Sequence, residues 1–203
     1  MARAPSFAGL ILAAGESSRM GRDKALLPWH GETFLAAAID SLRMDTELVI
    51  VVAGKNADVI EPICYAKGAF VVVNPAPERG QFSSLLIGLE EVLLRGRDAA
   101  VITLVDRPPS RRETVQQLVL AFENAILDRK WAVIPEHDGR HGHPIVIGRE
   151  MMTAFQQAPV TSNAREVEHA NQQRIAYVPV DDPLVVANIN TPEDYQLLTT
   201  RTI

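Results

Sequence analysis

Five apolar, β-branched runs recur along this chain with helix-like stretches between them, and that alternation leaves few folds open. Residues 7–14, 48–53, 69–73, 99–105 and 131–135 read as strands. They are apolar at consecutive positions rather than alternate ones, so both faces must be buried. Residues 33–42, 57–66, 83–94 and 112–127 carry helical spacing. Strands buried on both faces and separated by helices build a sheet sandwiched between two helical layers. The predicted class is α/β: a Rossmann-like three-layer sandwich around a mostly parallel sheet.

Past residue 135 the pattern changes. Residues 136–144 are polar and loop-like, 145–147 a short strand and 149–156 a short helix. Residues 163–172 read as helical and 174–179 as a strand. An apolar run, 185–189, precedes a helix starting at Thr191. Thr191-Pro192-Glu193-Asp194 supplies a capping hydroxyl, a proline at the first helical position and acids at the positive end. No linker composition interrupts the chain. A length of 203 residues suits one domain, 1–203, with residues 136–185 as an elaboration covering its ligand-binding edge.

A net charge of −5 argues against a broad nucleic-acid footprint. The first apolar run is far short of a membrane span, and the residues before it are too few and too polar for a signal peptide. The lone Cys64 excludes an internal disulfide and fits a reducing compartment, so a cytoplasmic location is expected. Its apolar neighbours mark it as a small core residue.

The chemistry concentrates where the first run ends. Leu12-Ala13-Ala14-Gly15 is followed by a short polar loop carrying Arg19 and Lys24. A buried strand ending in a small-residue, basic loop can present backbone N–H groups and cations to a polyphosphate. The small residues let the backbone approach a ligand closely. Gly15 and Gly21 are separated by five residues and no Gly-Lys-Ser/Thr follows, which rules out a Walker loop. Two glycines also fall short of a dinucleotide fingerprint. An ordinary strand-to-helix turn remains the plain alternative. Asp106 ends another predicted strand, where ligands of open parallel sheets bind. It suits Mg²⁺ on a phosphate, and equally a cap for the helix that follows.

The pattern Leu-Ala-Ala-Gly-x-x-x-Arg-Met-Gly-x-x-Lys, residues 12–24, resembles the MobA-like NTP transferases. Within them it is most similar to the molybdenum cofactor cytidylyltransferase branch. The resemblance spans nearly the whole chain and implies a fold of the nucleotide-diphospho-sugar transferase type. It implies that Leu12, Ala13, Ala14 and Gly15 wrap an NTP triphosphate, with Arg19 and Lys24 as cationic clamps. It makes Asp106, in Asp-Arg-Pro, a magnesium ligand. Arg107 departs from the Met, Gln or His usual there; it suits a phosphate contact or a carboxylate partner.

Further motifs extend the resemblance. Asn74-Pro…Gly80…Ser83-Ser84-Leu…Gly88-Leu resembles the element near the base, and there Ser84 is the preferred base contact. A simple helix cap is its alternative. Asn190, in Asn188-Ile-Asn190-Thr-Pro-Glu-Asp, would complete the Mg²⁺ shell by analogy, where cytidylyltransferases usually have Asp. A strand end capping its own helix is compatible with that role. Arg140-His141-Gly142-His143-Pro144 resembles the acceptor side, so Arg140, Gly142 and His143 are assigned to the pterin or its phosphate. His137, His141 and His143 lack the Cys partner or His-Glu-x-x-His spacing of a zinc site. Arg165 meets an acceptor phosphate or lies on a solvated helix face.

The activity so implied is Mg²⁺-dependent transfer of CMP from CTP to the phosphate of molybdopterin, releasing pyrophosphate. A molybdoenzyme would receive the product; no nucleic acid or membrane partner is expected. Ala14, where guanylyltransferases have Gly, and the Gly-His-Pro run favour CTP; Asn188 and Asn190 point to GTP. The alternatives are guanylyl transfer to the same cofactor, cytidylyl transfer to a sugar or polyol phosphate, and a non-catalytic cofactor carrier.

Overall fold

The computed structural model describes residues 3–15 and 20–202. Its strands are β1 (Phe7–Leu12), β2 (Pro28–Trp29), β3 (Glu32–Thr33), β4 (Leu48–Ala53) and β5 (Phe70–Val73), then β6 (Ala99–Leu104), β7 (Ala132–His137), β8 (Arg140–His141), β9 (Ile145–Gly148) and β10 (Ile175–Pro179). The helices are α1 (Phe34–Arg43), α2 (Ala57–Ala66), α3 (Gln81–Leu94), α4 (Arg112–Ala125), α5 (Arg149–Gln157), α6 (Ala164–Ala170) and α7 (Pro192–Thr202).

The main sheet runs β10-β7-β9-β6-β1-β4-β5, with β8 paired to β7. All neighbours are parallel except at β8 and β9. The chain adds β4 and β5 on one side of β1, then returns to place β6 on the other. The order therefore reverses at β1/β6, and an open α/β sheet offers its ligand crevice at such a reversal, beyond the carboxyl ends. Leu12 is in register with both Val52 and Leu104, so three strand ends meet there.

Both faces of β1 are buried, as consecutive apolar residues require. Phe7 and Ile11 pack with Leu35, Ile39, Ile60, Leu118 and Phe122 on the α1, α2 and α4 side. Leu10 and Leu12 pack with Leu85, Leu89, Val92, Met151 and Phe155 on the α3 and α5 side. Cys64 is buried, free and in the first of these layers, and burial pushes its thiol up to about 11. A third cluster joins Met20, Leu27, Trp29, Phe34 and Ile189, tying the chain after the first loop to the segment before α7.

Two features differ from the sequence reading. Residues 136–185 are not laid over the sheet edge alone: β9 enters the sheet antiparallel between β6 and β7, and β10 forms an edge. Ile145, Val146 and Ile147 are all buried, which demands an interior place. The β2–β3 hairpin was not anticipated, because each strand has two residues. His30 and Gly31 both take positive φ at its turn, as a tight two-residue connection requires. Among the described residues no helix is long and apolar enough to cross a membrane.

Candidate active site

The first loop is built by a short polar relay. Beyond β1, the Ala13 carbonyl accepts from Asn56 Nδ2 at 3.0 Å. The same amide donates to Asp23 Oδ2 at 2.7 Å, and Asn56 Oδ1 accepts from the Gly54 N–H. Asp23 Oδ1 in turn accepts from the Ala25 N–H and caps a one-turn 3₁₀ segment, Lys24–Leu26. The loop after β4 thus fixes the loop after β1. A Cβ at Gly54 would sit 2.7 Å from the Ala14 carbonyl oxygen, so glycine there permits the two loops to meet.

This relay brings Lys24 to the end of β6. Its Nζ lies 3.6 Å from Asp106 Oδ2, with the lysine side chain 11% exposed. Asp106 Oδ1 is buried and has no hydrogen-bond partner among the described residues. The two face a cavity of about 220 Å³, lined also by Leu12, Ala14, Gly15, Gly80, Gln81 and Ser84. Arg19 lies outside the described residues.

The α3 side of this cavity departs in detail from the sequence reading. The helix starts at Gln81, earlier than expected, and Gly80 is its N-cap with φ 92°. Ser84 therefore lies in the first turn and lines the cavity, and no side chain supplies the cap. Asn74 is 2% exposed and lines neither this cavity nor the next. Its amide donates to the hydroxyls of both Ser83 and Ser84 at 2.9 Å, so it orients Ser84 from behind.

A larger cavity of about 820 Å³ adjoins the first and shares Leu12, Gly80, Gln81 and Leu104 with it. Gly142, His143 and Arg165 line it, together with Arg107, Glu168 and Tyr177. Burial, and secondarily Arg107, push the His143 imidazole down to about 3, so it is neutral near pH 7. Burial lowers the Arg107 guanidinium and raises the Glu168 carboxyl from their usual ranges; Asp106 opposes the first shift and Arg165 the second. Arg140 does not line the cavity: it is exposed, and its guanidinium donates to the Val186 carbonyl. The His141 ring stacks on Tyr177 at 4.0 Å, and His137 Nδ1 meets the Val180 carbonyl. Among the described residues no group of three His, Cys, Asp or Glu could hold a metal.

Gly142 is required by packing as well as by the cavity. A Cβ there would lie 2.0 Å from the Val185 carbonyl oxygen, which accepts the His143 N–H. Gly142→Ala is expected to destabilise the fold by about 1–3 kcal/mol, because the backbone must shift. Thermal denaturation checks this, and an unchanged midpoint would contradict that close approach.

Asn190 is tethered beside Asp106 through the backbone, since Ile189 N–H donates to the Asp106 carbonyl at 2.9 Å. It lines neither cavity. Asp194 Oδ2 accepts from the N–H groups of Asn190 and Thr191, and Thr191 Oγ1 accepts from the Asp194 N–H. The helix-capping role of this motif is thus built. Sequence reasoning missed Gln81, Asp23 and Asn56; an Asp placed just before Lys24 was the available signal for the relay.

A lysine and a strand-end carboxylate meeting at the reversal point of a mostly parallel sheet define an α/β protein with a phosphate-ligand site at its carboxyl edge. The chain belongs to the MobA-like NTP transferase domain family, which matches residues 9–175. It is 24% identical to the molybdenum cofactor cytidylyltransferase of Escherichia coli K12, covering 92% of each chain. It is 30% identical to the molybdenum cofactor guanylyltransferase of Cupriavidus metallidurans CH34, covering 93% of this chain and 92% of that one. The crystal structure of Rv0371c from Mycobacterium tuberculosis H37Rv superposes with a TM-score of 0.82 at 24% identity, covering 96% and 98% of the two chains.

Proposed function

We propose that this chain is a Mg²⁺-dependent cytidylyltransferase acting on the phosphate of a molybdopterin-type cofactor, built as one domain over residues 1–203. The observation that carries the reading is the Lys24–Asp106 pair lining the smaller of two adjoining cavities. One cavity takes the nucleotide, between Ala14, Gly80 and Ser84; the other takes the acceptor, beside Gly142, His143 and Arg165. The acceptor phosphate attacks the α-phosphorus and pyrophosphate leaves. Such transfer needs positioning and charge neutralisation more than covalent help.

The residues present fit a divalent metal of the magnesium type. Mg²⁺ binds through one or two carboxylates, with substrate phosphates and water completing its shell. Asp106 offers a buried oxygen without a partner, which suits that role. Asn190, tethered next to it, is the second candidate ligand. A manganese complex of Rv0371c has the same fold, with a TM-score of 0.78. When bound, the metal would supply Lewis-acid charge to the reacting phosphates.

Ala14 faces the nucleotide cavity, and its methyl group crowds a purine more than a pyrimidine. That favours CTP. The guanylyl reading rests on Asn188-Ile-Asn190 and on guanylyltransferase relatives. The test is pyrophosphate release with Mg²⁺ and freshly prepared molybdenum cofactor, comparing CTP, GTP and ATP. Release with CTP is expected; release with GTP alone would move the chain to the neighbouring branch. Silence with all three, from folded and cofactor-binding protein, would favour a carrier.

A further inference from the structure

Five buried side-chain polar atoms lack a hydrogen-bond partner among the described residues, and three of them belong to Asp106, Arg107 and His143. These three line adjoining cavities: Asp106 the smaller, Arg107 and His143 the larger. A buried polar atom without a partner costs about 1–3 kcal/mol, a cost that an incoming group of matching polarity would remove.

Arg107 is held for such a group. Its N–H donates to the Leu104 carbonyl, turning the chain at the end of β6. Its Nη1 donates to the Ala187 carbonyl at 3.0 Å, fixing one edge of the guanidinium. Nε is the atom left without a partner. The residue first assigned to the acceptor phosphate, Arg140, points to the Val186 carbonyl outside the cavity.

We propose that Arg107 is the residue that receives the acceptor's phosphate and presents it to the nucleotide. The proposal rests on the nucleotidyl-transfer reading above. Being the neighbour of Asp106, Arg107 would hold that phosphate next to the α-phosphate without neutralising the pair that serves the nucleotide. A guanidinium suits the role because its planar donors match phosphate oxygens and its charge survives burial. His143, whose Nδ1 is buried without a partner among the described residues, lines the same cavity.

Arg107→Met and Arg107→Lys test this. In turnover, Arg107→Met is expected to raise the acceptor KM about tenfold to a hundredfold, the value of one charged hydrogen bond, with the CTP Kd within about twofold. Arg107→Lys should recover part of the loss, since it keeps the charge but not the fork. A second readout needs no turnover: inorganic phosphate titrated into the chain and followed by ³¹P line width. Phosphate binding lost in Arg107→Met but kept in Lys24→Ala supports the proposal even if no NTP is turned over, which separates its failure from that of the cytidylyl reading. Binding kept in a folded Arg107→Met but lost in Lys24→Ala overturns it, as does an acceptor KM unchanged by either Arg107 variant.

Discussion

Asp106→Asn is expected to abolish Mg²⁺-dependent CTP binding and to lower turnover by about 10³-fold, the scale seen when a transition-state charge partner is removed. The two oxygens of this carboxylate have different surroundings. Oδ2 lies 3.6 Å from Lys24 Nζ, and Oδ1 is buried without a partner among the described residues. One oxygen thus steadies the lysine while the other is available to a cation. Asparagine keeps the shape and one acceptor but removes the charge, and an amide oxygen is a much weaker ligand for Mg²⁺. The fold should tolerate the change: the Asp106 side chain is 31% exposed, and its backbone pairing with Ile189 does not involve the carboxylate. Calorimetric CTP titration with and without Mg²⁺ measures the effect. A variant that still needs Mg²⁺ to bind CTP as tightly as the parent would remove Asp106 from the metal site.

The architecture was legible because consecutive burial is written into the strands. Phe7 to Leu12 is apolar at successive positions, and each face found its own helical layer. The same signal in Ile145-Val146-Ile147 was under-read: three buried β-branched residues belong inside a sheet, and β9 sits between two longer strands. Strand order itself is a long-range property, and local periodicity does not encode which neighbour a strand will find.

The candidate site was legible where backbone chemistry dominates. Small residues at Ala13 to Gly15, an acid at a strand end and a glycine before a helix each imply a local geometry. Side-chain direction was less accessible. Arg140 and Arg107 are both arginines next to motif residues, yet one is exposed and donates to the Val186 carbonyl while the other lines the cavity. Only the positions of Val186 and Ala187, brought in from the far end of the chain, decide between them. Asn74 shows the same limit. Its motif predicted ligand contact, but the fold placed Ser83 and Ser84 within reach of its amide and made it a support.

Lys24→Ala is expected to lower turnover by about 10²–10³-fold while leaving the protein folded. The turn that carries Lys24 is held by other groups: the 3₁₀ segment is capped by Asp23, and Asp23 is held by Asn56. What the variant loses is a largely buried cation facing the nucleotide cavity. Charge growing on the departing pyrophosphate would then be stabilised by fewer fixed groups, and a cation in a water-poor site is worth more than one in solvent. Circular dichroism and pre-steady-state pyrophosphate release separate the two claims, and parental turnover in a folded variant would exclude Lys24 from the chemistry. The double variant with Asp106→Asn separates a shared role from two independent ones. If the two side chains act on one bound nucleotide, the second substitution finds much of the function already gone, and the double variant falls short of the product of the single effects. Effects that multiply would mean that the lysine and the carboxylate serve separate events, and their 3.6 Å approach would then be a structural pairing alone.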